Sequence, residues 1–304
     1  MPGALGWERS GVVIGKQAAT SWVDPNRPSP AGAAPTEILV ESLTKSFDGR
    51  TVLSGVDLAI RRGEIVAVVG GSGCGKTVLL NHILGQIRPD SGDVFVVDHD
   101  LPGELLVALG SLDDSRLARI LRHWGVVFQR NALFSGSVLD NIALWLREIR
   151  NLDEGLIRPI AEAALAAVKL PSDPAFLNAS VESLSGGMAK RLAIARALAM
   201  EPMVVCYDEP TTGLDPTNAA QIQDLILATH FGNGHNGVVR TTIIITHDKD
   251  LLVRLRPRIV MLYNGGVTFD GTFDEFQRST SSIIRPYFDV MPYLHGRDGA
   301  ERAV

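Results

Sequence analysis

The stretch that most constrains this chain is Gly70 to Thr77, G-G-S-G-C-G-K-T, which fits the pattern G-x-x-x-x-G-K-[ST]. It stands between a short apolar run, Ile65 to Val69, and a segment with helical spacing that begins at Lys76. The run is too short for a helix and is bounded by glycines, as a strand buried on both faces of a parallel sheet would be. Glycines let the backbone curl until successive N–H groups point at one anion, and the following helix adds its positive end. The pattern therefore predicts a buried strand, a sharp turn and a helix opening onto phosphate. Lys76 would reach β- and γ-phosphates as a point charge and the Thr77 hydroxyl would ligate Mg²⁺. Gly70, Gly71, Ser72, Gly73, Cys74, Gly75 and Val78 complete the cradle.

The rest of the chain extends this into an α/β domain. I-L-V-E-S-L-T-K-S-F and V-L-S-G-V-D-L-A-I, separated by Asp48-Gly49, read as paired strands that form a small β layer. Further buried strands are expected at Val126 to Phe128, Met203 to Tyr207, Thr242 to Thr246 and Ile259 to Leu262. Helices are expected at Lys76 to Gln86, Asp113 to Arg122, Gly187 to Met200, Thr217 to Thr229 and Asp248 to Leu255. That alternation predicts a mostly parallel core sheet. From Ser137 to Leu170 helical spacing recurs with no strand between, which predicts an inserted helical subdomain at about 130–186. The Pro-, Gly- and Ala-rich stretch 1–36 is expected to be a disordered tail, 37–275 the main domain and 276–304 a C-terminal extension.

A strand that ends in two carboxylates, M-V-V-C-Y-D-E, adds candidate chemistry. In an open α/β sheet ligands bind at such strand ends. Asp208 would hold Mg²⁺ through its water shell, and Glu209 would orient or deprotonate an attacking water. Taken alone, the pair reads better as a solvated loop after a strand; beside a phosphate loop it reads as a site. His247, after T-I-I-I-T, could contact the γ-phosphate or simply cap a helix, and Gln129, after G-V-V-F, is a candidate sensor of metal and water.

Composition narrows the class of partner. A formal charge of -5 leaves no electrostatic footprint for wrapping nucleic acid. Cys74 and Cys206, one in the loop and one in a strand, suggest neither a disulfide nor a metal cluster, which fits a reducing compartment. No apolar run approaches the roughly 20 residues that span a bilayer, and the N-terminus lacks a secretory signal pattern.

With these pieces in order, L-S-G-G-M at Leu184 to Met188 resembles the signature motif of ABC-type ATPases. In isolation, S-G-G also reads as a helix cap followed by a permissive turn. The resemblance spans roughly Ile38 to Gly271 and implies a phosphate-loop NTPase fold with ATP and Mg²⁺ as ligands. It implies that Ser185, Gly186, Gly187 and Met188 close over ATP bound by a second copy in a head-to-tail dimer, with Asp215 of T-G-L-D-P at the interface. It also assigns Phe47 to stacking on adenine, where packing in the core is the other reading.

Within that family the chain is similar to the ATPases of Mla/Mce-type lipid transport systems. Three stretches carry the likeness: G-Q-I-R-P-D-S-G from Gly85, F-Q-R-N-A-L-F-S-G-S-V-L-D-N-I-A from Phe128, and L-S-G-G-M-A-K-R from Leu184. The subgroup implies lipid movement at the cytoplasmic face of a bacterial inner membrane through a separate permease, with an Mce-domain protein and a small regulatory protein as further partners. An ABC ATPase for another cargo, such as amino acids, shares every catalytic motif. Gly71 in place of a common proline, the long connection Pro102 to Ser115 and the loop at 232–237 depart from the usual pattern. In the extension, the resemblance to lipid-transport ATPases implies that Tyr287, Phe288, Met291 and Tyr293 clasp a neighbouring subunit, and a disordered tail is the other reading.

Overall fold

The computed structural model describes residues 34–232 and 240–286. Most of the expected tail, the greater part of the 232–237 loop and the four C-terminal apolar residues just named lie outside that range.

Two sheets organise the chain. In the first, β1 (Thr36–Phe47) and β2 (Arg50–Arg61) pair antiparallel across a turn in which Asp48 and Gly49 both take positive φ, 49° and 76°. Two consecutive positive φ values give a turn whose twist matches that of the strands it joins. The other edge of β1 pairs with β4 (Ser91–Val97), which pairs in turn with β5 (Leu106–Ala108), so the order is β2-β1-β4-β5. Sequence reasoning missed β4 and β5. Their cores are short, and β5 lies inside the stretch read as the long connection Pro102 to Ser115.

The second sheet holds β3 (Ile65–Val69), β6 (Trp124–Val127), β7 (Val204–Asp208), β8 (Thr241–Ile245), β9 (Arg258–Tyr263) and β10 (Gly266–Thr272), in the order β10-β9-β3-β8-β7-β6. All neighbours are parallel except the β9–β10 pair. Every residue of β7 and β8 is buried because both faces are covered, and alternate side chains enter different cores. Val204 and Cys206 pack on the side of α1 (Lys76–Ile83), with Leu79, Leu80 and Ile83. Val205 and Tyr207 face α3 (Val138–Glu148), α4 (Glu154–Ala167), α6 (Gly186–Ala199) and α7 (Pro216–Phe231). Each fully buried aliphatic chain of this kind contributes about 1.5–3 kcal/mol. The short helices α2 (Asp114–Leu121), α5 (Pro174–Leu177), α8 (Lys249–Leu255) and α9 (Phe273–Arg278) complete the order.

Two boundaries differ from expectation for local reasons. Helix α1 stops at Ile83 rather than Gln86, because Gly85 turns left-handed at φ 66° and closes the end: its amide bonds His82 O and the Gln86 amide bonds Asn81 O. Strand β6 runs from Trp124 to Val127 rather than from Val126 to Phe128, since Trp124 pairs with Val204 while the Phe128 carbonyl is taken by a side chain of α6.

Candidate functional site

The four adjacent parallel strands β3, β8, β7 and β6 release their chains at one edge of the sheet. In that order they deliver the phosphate loop, His247, the Asp208-Glu209 pair and Gln129. The core order thus collects at one edge residues that lie up to 171 positions apart in the chain, from Lys76 to His247.

The loop after β3 is shaped by close approach. Gly70 leaves the strand at φ 149°, and a Cβ there would strike Cys74 Sγ and the Leu262 carbonyl. Gly75, at φ 102°, caps α1 and lies against Val52 and Leu53 of β2. Gly71 has open space around its Cα, so the departure from proline there costs no contact. No side chain caps the first N–H groups of α1 and no acidic residue stands in its first turn, so its positive end is left for a ligand. Lys76 Nζ folds back over the loop and donates to Gly70 O at 2.8 Å and Gly71 O at 3.0 Å. Ser72 and Thr77 are exposed, whereas Cys74 and Val78 are half-buried and pack toward the core. An uncapped helix end, a glycine-lined curl and an ammonium folded over it suit a polyphosphate.

At the end of β7, Asp208 is 7% exposed. Burial, and then the charge of Glu209, push its carboxyl above the usual range, while Lys76 and Lys190 pull it back. The Glu209 amide extends the ladder by one bond, to Ile245 O at 2.8 Å, and the residue then turns at φ 46°. A left-handed non-glycine costs about 1–3 kcal/mol and is held only where its surroundings fix it. Here one carboxylate oxygen, Oε2, accepts from Thr212 Oγ1 at 3.3 Å and pairs with His247 Nδ1 at 2.7 Å. His247 is anchored by its neighbour. Asp248, 2% exposed, caps α8 and accepts from Thr211 Oγ1 and Gln223 Nε2, both at 2.8 Å. Sequence reasoning missed Asp248, although an aspartate just before a helix is a capping signal.

The hydrogen bond to Glu209, followed by the charges of Glu209 and Asp248, raises the His247 pKa despite partial burial. Because the folded value lies above the unfolded one, this pairing adds stability below the ordinary pKa of about 6.5, lost as pH rises through the higher folded value. We expect an NMR titration of His247 to give a pKa above the ordinary value in the native protein, and one close to it in Glu209→Gln. Equal values in both proteins would remove Glu209 as the cause.

Gln129 is exposed, directly after Phe128. Thr77, Asp208 and Gln129 supply oxygen donors of the hard kind that Mg²⁺ takes, and an ion held there would neutralise phosphate charge. Phe47 is 42% exposed, so it does not pack in the core; Lys45 Nζ stands 5.4 Å from its ring centroid. Its hairpin lies beside the phosphate loop, since Val52 and Leu53 touch Gly75.

The signature residues form a second group. Ser185 caps α6 and accepts the Met188 amide at 3.3 Å; Gly186 is open to solvent, and the Met188 side chain leans on the helical core. Gly187 meets Asn218, whose amide side chain a Cβ would strike. Asp215, the cap of α7, holds Asn218 at 3.0 Å through its backbone N–H and 2.5 Å through Nδ2, and these bonds keep its carboxyl below the usual range. Arg191 of α6 donates to Asn218 Oδ1 at 3.2 Å. Two helix N-termini, those of α6 and α7, are thereby fixed side by side. Neither Asn218 nor Arg191 was singled out in the sequence, for an amide between two motifs has no pattern of its own.

A phosphate loop, a carboxylate pair and a histidine along one sheet edge, with a separate presented helix start, define a nucleotide-hydrolysing ATPase of the phosphate-loop class. The ABC transporter family profile matches residues 53–212. The chain is 35% identical over 266 residues to protein TRIGALACTOSYLDIACYLGLYCEROL 3, chloroplastic, of Arabidopsis thaliana, covering 83% of this chain and 74% of that one. It is 32% identical to the intermembrane phospholipid transport system ATP-binding protein MlaF of Haemophilus influenzae, covering 80% and 86%. It is 34% identical to the methionine import ATP-binding protein MetN of Legionella pneumophila, covering 83% and 70%. Among solved structures, the dimeric post-hydrolysis state of the ATP-binding cassette MJ0796 bound to ADP and Pi matches with a TM-score of 0.66 at 30% identity, covering 78% and 98%. The chain belongs to the ABC transporter family: it is an ATP-binding subunit that hydrolyses ATP, with Mg²⁺ as cofactor.

Proposed function

We propose that two copies of this chain bind Mg-ATP between them and drive lipid transport through a separate permease at the cytoplasmic face of a bacterial inner membrane. The lipid assignment is carried by the likeness to MlaF over most of both chains. It is supported by the Gly85, Phe128 and Leu184 stretches quoted above. A methionine importer is similar at nearly the same identity, so the alternative is an ABC ATPase for another cargo. No described helix is long and apolar enough to cross a membrane, in keeping with a permease on another chain.

In this reading Lys76 and the N–H groups of the Gly70 to Val78 loop hold the phosphates, and Phe47 stacks on adenine. Thr77, Asp208 and Gln129 hold the metal. Glu209 takes a proton from the attacking water, with His247 keeping its carboxylate aimed. Ser185, Gly186, Gly187, Met188 and Asp215 face the second copy's ATP. Acceleration comes mainly from fixed charges and dipoles around the transferring phosphoryl group. An exposed apolar patch on the helical layer, Phe134, Trp145 and Ile149, with the first two rings 6.4 Å apart, suits a permease contact next to the Gln129 loop.

The test is affinity purification of the tagged protein from its native membrane, with mass spectrometry of the chains and lipid that follow it. We expect a multispanning permease, an Mce-domain protein, a small regulatory protein and phospholipid. A solute-binding protein with an importer permease would move the cargo to the alternative and leave the ATPase chemistry standing.

A further inference from the structure

Between the end of β6 and the start of α3 the chain runs through Gln129 without regular structure, so its backbone carbonyls need partners from elsewhere. Helix α6 supplies four of them. Lys190, 2% exposed, donates from Nζ to Phe128 O at 3.1 Å and Gln129 O at 2.8 Å. Arg196, two turns further on, donates to Ala132 O at 2.8 Å and Asn131 O at 3.3 Å. Asn141 of α3 then takes both polar groups of Phe134, at 2.8 and 2.9 Å. The loop is therefore fastened to the helices and not only to the strand that leads into it. The fastening begins one turn after Ser185, at the end of α6 that starts the signature motif.

We propose that Lys190 is a positioning residue that locks the Gln129 backbone to the signature helix. Each α6 then reports the state of the partner copy's ATP to Gln129 in its own copy. Lys190 touches no substrate; besides the pull of its charge on Asp208, it acts through the two carbonyls it holds. A buried lysine is costly to keep, and here its ammonium is spent on the two carbonyls nearest Gln129, which Arg196 and Asn141 do not reach. The coupling across copies rests on the paired reading proposed above, whereas the lock itself rests only on the contacts within one chain.

Lys190→Met keeps the stem and removes the donors, and Lys190→Arg keeps a cation whose N–H groups can donate to both carbonyls. Hydrogen exchange on the full nucleotide-free chain is the direct readout. We expect exchange in the peptide spanning 128–134 to rise about tenfold in Lys190→Met, with β3 and α1 unchanged. ATP affinity should hold while kcat falls by about tenfold or more, as for a displaced site residue, and cooperativity in ATP should weaken. Lys190→Arg should restore both exchange and kcat. Unchanged exchange at 128–134, or faster exchange throughout the chain, would overturn the assignment, the second because it marks a merely structural role. If Lys190→Met does not fold, Lys190→Gln takes the same readouts with one shorter donor. Absence of cooperativity in the native protein would count against the paired reading alone, and the exchange result would still decide the lock.

Discussion

Glu209→Gln should bind ATP at least as well as the native protein and turn it over about 10²–10⁴ times more slowly. The substitution keeps the shape of the side chain, and an amide oxygen can still accept from Thr212 Oγ1, so the turn at φ 46° retains its support. What disappears is the proton acceptor. Binding is preserved for an electrostatic reason as well: the Glu209 charge is among the causes that push the Asp208 carboxyl upward, so its removal favours the ionised form that a metal requires. With binding intact and hydrolysis blocked, ATP should accumulate a closed pair that gel filtration resolves from the monomer. Single-turnover kinetics with radiolabelled ATP measures the chemical step directly, and turnover within a few-fold of native would end the role assigned to Glu209.

How much of this site could be read from the chain depended on whether each residue sits inside a local pattern. Gly70 to Thr77 carried its own strand-to-helix context, and the Asp48-Gly49 turn carried its own hairpin. Both were legible because the physics that shapes them acts over a few residues. Asp208, Glu209 and His247 were legible as strand ends, yet that Glu209 and His247 share a hydrogen bond follows only from β7 and β8 being neighbours. The contacts of Lys190, though it lies in the quoted L-S-G-G-M-A-K-R stretch, and of Asn218 left no signal: each is defined by what it touches across 61 and 31 residues, at Gln129 and Gly187. A lysine directly before an arginine on a helix reads as a solvated face until packing buries it. Strands β5 and β10 escaped for a related reason, since these edge strands lack the continuous buried run that marked β3, β7 and β8. Phe47 could be decided only by its exposure.

Lys76→Ala should lose both binding and turnover, with ATP affinity down by about tenfold to a hundredfold and kcat by a further 10²–10³, the range for a preorganised charge removed from a transition state. The nucleotide-free contacts of Lys76 show why the fold should survive. Its ammonium bonds the Gly70 and Gly71 carbonyls at a part-exposed loop, where water can replace it, so stability should change by no more than about 1 kcal/mol. Those same contacts show why the loss is functional: the ammonium sits over the mouth of the curl, within reach of whatever anion enters it. Lys76 also pulls the Asp208 carboxyl down, so its removal leaves the metal-holding carboxylate more readily protonated. Lys76→Arg should rescue little, because a longer, planar guanidinium cannot take the place of a compact point charge at the mouth of a curl that Gly75 packs closely against Val52 and Leu53. Urea denaturation, fluorescent-nucleotide binding and steady-state hydrolysis on the three proteins separate these contributions. A native-like affinity in Lys76→Ala would mean that the glycine curl and the α1 terminus hold the phosphates unaided, whereas a large stability loss would mean that the lysine serves the fold before it serves the ligand.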